Sequence, residues 1–281
     1  MGFSRRIQQR RKNTKNIFKI TKTMELVSKV KFQKAMRFAN QFQEYREKFF
    51  HILQASYCST FSHDLLSKRE KVARVAFLVI AGDRGLCGSY NAQIVEETIQ
   101  FREKFLSEEK EVDIHIIGKK AFSAFSFKKI PVKEQYPILH DTPSFSSIVP
   151  VANNFIDLFQ KNHYDEVWIL YTNKMRITKE LLLPVSLSLE QKEEQEYLLF
   201  APVREKILEN LVPHSIQIQL YSCLLYAIVS EQTARMLAMK QASENADSMI
   251  KELTKQYNRA RQAQITREML EILAGVEAKD I

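Results

Sequence analysis

The sequence predicts an α/β protein: a long antiparallel two-helix coiled coil formed by the N- and C-terminal helices, plus a Rossmann-like α/β domain with a mainly parallel sheet. Three observations predict it. Glycine and proline break regular structure most strongly, and neither occurs between Gly2 and Gly82; no glycine occurs between Gly118 and Gly275, and all seven prolines fall between Pro131 and Pro213. At both ends apolar residues recur mostly every three, four or seven positions, which is one stripe of a helix. In the middle, short apolar runs alternate with stretches of helical period, the pattern of strands and crossover helices.

In chain order, the first element is a helix over residues 4–57. Its stripe reads Ile7, Ile17, Ile20, Met24, Val27, Val30, Ala35, Phe38, Phe42, Tyr45, Phe49 and Ile52. At 1.5 Å per residue it would be roughly 80 Å long. "RVAFLVIA" (74–81), "VDIHIIG" (112–118) and "DEVWILYT" (165–172) read as buried strands. Helices are predicted near 91–106, 119–127 and 144–161. "LLLPVSLSL" (181–189) and "EYLLF" (196–200) would add strands, with "EQKEEQ" (190–195) as a solvated loop. From Pro213 a second stripe runs through Ile218, Tyr221, Leu225, Ile228, Leu237, Met249, Leu253, Tyr257, Ile265, Met269 and Ile272. It predicts a second helix of about 60 residues with a narrow apolar seam. Two such seams are expected to bury each other. The division is 1–60 for the N-terminal coiled-coil helix, 70–203 for the α/β domain and 204–281 for the C-terminal coiled-coil helix.

The charge is uneven. The net charge is +9, yet residues 1–37 hold twelve Lys or Arg against Glu25 alone, so the rest of the chain sums to −2. The basic segment implies an acidic or anionic partner. Cys58, Cys87 and Cys223 are odd in number and far apart, which suits neither a disulfide framework nor a zinc site. No apolar run approaches the roughly 18–20 residues needed to cross a bilayer.

The stretch "FLVIAGDRGLCGSYN" (77–91) raises the question of a phosphate site, since a glycine turn between strand and helix can bind one. Its spacing is G-x-x-G-x-x-G, neither the dinucleotide fingerprint nor the P-loop. The packing reading needs only that Gly82, Gly85 and Gly88 permit a turn and close approach. Asp83 and Arg84 are expected to pair within it, Asn91 to cap the next helix, and Cys87 to be a small buried hydrophobe. The six histidines show no i, i+4 metal pair, and no nucleophile elbow occurs. No catalytic residue, metal or cofactor is expected.

"RRIQQRRKNTKNIFKITKTMELVSKVKFQKA" resembles the N-terminus of the gamma subunit of F-type ATP synthases, with its Ile20-Thr21-Lys22-Thr23-Met24 core. "DRGLCGSYN" resembles that family's Asp-Arg-Gly-Leu-Cys-Gly turn, with Ser89 where Gly often stands. "SEQTARMLAMKQASENADSMIKELTKQYNRARQAQITREMLEILAGVEA" (230–278) resembles its C-terminal signature. The resemblance implies a rotor shaft. The coiled coil is inserted into a ring of alternating alpha and beta subunits. The α/β foot rests on the membrane c ring beside epsilon, and rotation couples ion flow to ATP synthesis or hydrolysis. It implies contacts to alpha and beta subunits through Lys22, Met24, Arg235, Arg261, Gln262 and Thr266. It implies neighbour contacts, not nucleotide, at Asp83, Arg84, Gly85, Cys87 and Gly88. It further implies a bacterial-type subunit at the inner face of the plasma membrane, without the chloroplast thiol switch. Two other readings compete: a basic nucleic-acid-binding coiled coil, and a nucleotide-binding enzyme using the glycine turn.

Overall fold

Five strands form one sheet in the order β3-β2-β1-β4-β5. In this computed structural model, residues 2–57, 61–136, 143–186 and 203–277 are described. The elements are α1 (Gly2–Ser56), β1 (Arg74–Ile80), α2 (Tyr90–Ser107), β2 (Glu111–Ile117), α3 (Lys119–Phe127), β3 (Glu134–Tyr136), α4 (Phe145–Gln160), β4 (Glu166–Asn173), β5 (Arg176–Leu183) and α5 (Arg204–Glu277). Two compact units result: one of residues Lys29–Arg235, and one of Met1–Ser28 with Met236–Ile281.

In the larger unit β1 pairs in parallel with β2 and β4, β2 pairs in parallel with β3, and β5 closes the sheet antiparallel to β4. β1 is buried on both faces because both are covered, so it reads as an unbroken apolar run. Val75, Phe77 and Val79 face Ile94, Val95 and Phe105 of α2 and Ala121 and Phe125 of α3. Ala76, Leu78 and Ile80 face the opposite core, made by α4, the later turns of α1 and the first half of α5.

The structure departs from expectation at β5, at β3, at the start of α5, which lies at Arg204 ahead of Pro213, and along the seam of α1. β5 starts at Arg176, ahead of the predicted 181, and stops at Leu183 before Pro184. The hairpin joining it to β4 turns through Lys174 and Met175, both at positive φ (47° and 65°), where Asn or Gly normally signals such a turn. β3 is too short, at three residues, to show a period. Pro150 and Pro213 lie inside helices. Each releases the carbonyl four residues back, Ser146 and Glu209, and both of those residues are exposed to water. The strand predicted at 196–200, the loop at 190–195 and residues 187–189 lie outside the described residues. An 18-residue window in α5 reaches a mean hydropathy of 1.2, enough by length and composition to span a membrane, yet 67% of it is buried in protein. It is the core helix of the larger unit.

The seam of α1 keeps only Ile7, Ala35, Phe42 and Phe49 of the predicted stripe. Inward positions follow a strict four–three alternation: Ile7, Arg11, Thr14, Phe18, Thr21, Glu25, Ser28, Phe32, Ala35, Ala39, Phe42, Arg46, Phe49, Leu53 and Ser56 are buried or half-buried. Ile17, Ile20, Val27, Val30 and Ile52 of the predicted stripe are exposed, from 49% to 65%. In the smaller unit the α1 seam is largely polar, with Ile7 and Phe18 its apolar members, and α5 answers with Met239, Ser243, Ala246, Ile250 and Leu253. The two helices run antiparallel there. Ser243 Oγ donates to Glu25 Oε2 at 3.4 Å, Thr14 Oγ1 lies 3.7 Å from Met249 Sδ, and Arg11 stacks over Tyr257 at 4.9 Å. In the larger unit the seam becomes aromatic, with Phe42 edge-on to Tyr221 (4.6 Å) and Phe49 edge-on to His214 (5.3 Å). Arg46 donates twice to Gln219 Oε1, at 2.8 and 3.1 Å.

Candidate functional site

The glycine turn follows β1 at the point where strand order reverses, the place where open α/β sheets hold their ligands. Here the chain fills that place itself. A Cβ on Gly82 would stand 2.9 Å from the Glu231 carboxyl group of α5 and 3.2 Å from Asn91 Oδ1. Gly82 N–H already donates to Asn91 Oδ1 at 3.0 Å. Asn91 Nδ2 donates to Arg84 O (3.4 Å) and to Cys87 Sγ (3.1 Å). Asn91 therefore ties the turn together from inside the helix and does not serve as its cap. A carboxylate stands where a phosphate would have to come, so the turn is no phosphate cradle.

Arg235, one helical turn beyond Glu231, completes the clamp. Its Nη2 donates to Glu231 Oε1 at 2.5 Å and to Arg84 O at 3.3 Å, and its Nε donates to Gly85 O at 3.4 Å. Both side chains are largely buried, 12% and 15% exposed. A planar guanidinium suits two such directions at once. Asp83 does not pair with Arg84: its Oδ1 accepts from Lys119 N at 2.9 Å and so caps α3. Arg84 and Gly85 face solvent, and so do Leu86 and Gly88, at φ 62° and 60°. Cys87 is buried, and burial pushes its thiol up, partly offset by Arg235 and reinforced by Glu231. Cys223 is buried too and is raised further, first by burial and then by Glu180. Both thiols are therefore expected to resist alkylation at neutral pH until the chain unfolds. A mass-spectrometric time course in buffer and in denaturant checks this, and rapid labelling of either thiol in the folded protein would contradict it.

The other candidate residues lie in the smaller unit, on the outside of the helix pair. Lys22 is exposed and pairs with Glu25 at 3.0 Å. Met24 is 39% exposed, in a row with Ile17, Ile20 and Val27. Arg261, Gln262 and Thr266 are exposed on α5, with Thr266 Oγ1 bonded back to Gln262 O at 3.0 Å. With Arg11 over Tyr257, Arg261 stands near the start of α1, about 20 Å along the helix from Lys22 at 1.5 Å per residue. The candidates thus form two surface clusters and one clamp rather than one site. Among the described residues no group of three or more His, Cys, Asp or Glu could hold a metal ion.

The family described as ATP synthase matches residues 4–278. The ATP synthase gamma chain of Rhodopirellula baltica is 36% identical over 294 residues, covering 99% of both chains. The chain belongs to the ATP synthase gamma-chain family. The gamma chain of Staphylococcus carnosus is 35% identical, again over 99% of each chain. The fold agrees with a rotor chain of the Euglena gracilis mitochondrial ATP synthase, with a TM-score of 0.64 at 18% identity, over 94% of this chain and 99% of that one. A chain from the OSCP/F1/c-ring assembly of the same organism gives a TM-score of 0.67 at 19% identity, over 99% of this chain and 94% of that one.

Lys22 and Met24, named from the resemblance, stand on the exposed face of α1, whereas the apolar row beside them, Ile17, Ile20 and Val27, was read as the inward stripe. The signal was present as two rows of the same seven-residue period. In the smaller unit one is largely polar and turns inward; the other is apolar and turns outward. Hydrophobicity alone selects the wrong one. Glu231 was missed as well, because its partner Gly82 is distant in sequence.

Proposed function

We propose that this gamma chain is the central rotor shaft of an F-type ATP synthase, with the outward faces of its two long helices running against the alpha and beta subunits. It is a non-catalytic subunit of the enzyme, and catalysis takes place in the beta subunits. The observation that supports the shaft reading is the inside-out patterning of α1: Ile17, Ile20, Met24 and Val27 face solvent while Thr14, Thr21 and Ser28 face the partner helix. Each apolar side chain left half-exposed forgoes on the order of 1 kcal/mol that burial against another subunit would recover. Lys22, Arg261, Gln262 and Thr266 add polar contacts, which form and break at little cost in water and so suit a moving surface. Arg235 acts on the neighbours indirectly, by holding Arg84 to Gly88 in place.

The nucleic-acid reading has no support, since the basic helix carries an apolar row where a phosphate-tracking face would be polar. The chain is part of a membrane-bound complex. Within it we place the α/β foot on the c ring beside epsilon, at the cytoplasmic side of the inner membrane. The division into coiled-coil helices 1–60 and 204–281 and foot 70–203 follows the same reading.

The test is Met24→Asp combined with Ile20→Asp, both exposed positions where the isolated chain should stay folded. The expected result is an unchanged melting temperature for the chain and at least a tenfold loss of affinity for an alpha–beta complex, which corresponds to about 1.4 kcal/mol. Unchanged assembly and ATPase in the double variant would refute this use of the outward row.

A further inference from the structure

A histidine is buried under the β3 edge of the sheet, in a cluster that the rotor reading leaves without a role. The His115 side chain is 2% exposed. Its ring lies against Phe155 of α4 at 5.0 Å, Tyr164 at 5.8 Å and Tyr136 of β3 at 6.0 Å. Nε2 is 3.0 Å from Tyr164 OH, and Tyr164 donates its one proton to Asp113 Oδ2 at 2.9 Å. The tyrosine oxygen must therefore accept, which places the imidazole proton on Nε2. Nδ1 keeps its lone pair, 3.5 Å from Tyr136 OH and 3.7 Å from Glu134 Oε2. Asn154 of α4 donates to Tyr136 OH at 2.7 Å. A cavity of about 630 Å³ opens beside the cluster, lined among others by Arg74, Asp113, Lys133, Glu134, Asn154 and His163.

We propose that the His115 cluster is an acid-sensitive latch: neutral His115 ties β2 to β3, to α4 and to the segment carrying Tyr164, and its protonation lets that side of the sheet open toward the cavity. The geometry gives a second imidazole proton, on Nδ1, only the long contact to Tyr136 OH at 3.5 Å. The nearest carboxylate, that of Glu134, is 3.7 Å from Nδ1, beyond hydrogen-bond length. A charged ring would stay inside an aromatic cage, where its solvation is poor.

The groups facing the ring come from every side. β2 contributes Asp113 and β3 contributes Glu134, with Lys133 just before it. α4 presents only the uncharged Asn154 and Phe155. The turn before β4 gives Tyr164 and His163, and at the cavity wall β1 gives Arg74 and the start of β2 gives Glu111. Burial is the largest influence and lowers the imidazole below its ordinary value; Glu134 and Asp113 pull it back up, and Lys133 adds to the lowering. The closed latch thus binds a proton less readily than the open one. Well above the ordinary histidine value of about 6.5 the two forms bind protons equally and pH has no leverage. As pH falls through that value the open form is protonated first, so the closed form loses ground.

Hydrogen exchange of the full chain tests the latch, read at pH 7.5 and 5.5 after correction for intrinsic exchange chemistry. Expected is a several-fold loss of protection at the lower pH in β3, α4 and the 161–165 segment, with β1 and β4 unaffected, and no such loss in His115→Gln. Should that variant fail to fold, the imidazole signals of the wild type decide instead. His115 should then titrate below the ordinary histidine value of about 6.5. Protection at the β3 edge that ignores pH, or a His115 titrating at or above the ordinary histidine value of about 6.5, would overturn the proposal.

Discussion

Gly118→Ala is expected to cost at least about 3 kcal/mol, or to leave no folded protein. Gly118 links β2 to α3 at φ 114°, a region that side-chain-bearing residues rarely enter. A Cβ there would collide with the carbonyl of Ala81, its carbon only 2.7 Å away. That carbonyl belongs to backbone that cannot give way. Ala81 N–H donates to Ile117 O at 2.9 Å, and Lys120 N–H donates to Gly82 O at 3.2 Å. The strain would pass straight into the turn that Arg235 holds. Gly85→Ala is the control: a Cβ there meets nothing nearer than Lys120 Cε at 3.9 Å. It should lie within about 0.5 kcal/mol of wild type. Urea midpoints of the two variants check the contrast, and equal stabilities would contradict this account of the turn.

Arg235→Ala is expected to destabilise the chain by about 2–4 kcal/mol and to free residues 83–88. The loss exceeds that of an exposed pair because Glu231 would stay largely buried against Gly82 with no guanidinium beside it. Arg235→Lys should recover little, since one ammonium cannot reach Glu231 and the two carbonyls of Arg84 and Gly85 together. Glu231→Ala with Arg235→Ala should be more stable than Arg235→Ala alone, because the largely buried carboxylate leaves together with the guanidinium that faced it. The cycle is read from melting temperatures together with exchange rates in the turn. A double variant as unstable as the sum of its singles would show that the two residues act independently.

The fold was legible where pattern and burial coincide. Val75 to Ile80, Ile114 to Ile117 and Ile169 to Tyr171 are buried on both faces, so these runs name the strands directly. The breaker-free ends named the two long helices. β5 hid behind a hairpin that places Lys174 and Met175 at positive φ with no glycine to announce it. The coiled-coil seam was misread for a physical reason. A helix that must meet two partners carries two rows, and the row facing its own chain can be the less apolar one when the other is kept for another subunit. Thr14, Thr21 and Ser28 are buried or half-buried in that row without contributing a large apolar side chain to it. The glycine turn was legible as a turn, whereas the roles within it were not. Asp83 caps α3, 36 residues on, and Arg235 reaches back across 150 residues. Such partners are set by tertiary packing and leave no local period.

Reconstitution tests the central claim most directly. The full chain is mixed with alpha and beta subunits from the same source, and complex composition and ATP hydrolysis are measured together, beside a variant cut before Leu253. The account predicts a complex holding one copy of this chain, hydrolysis by that complex and none by the chain alone, and lost coupling in the truncated form. Failure to form the complex, or ATP hydrolysis by the isolated chain, would contradict it.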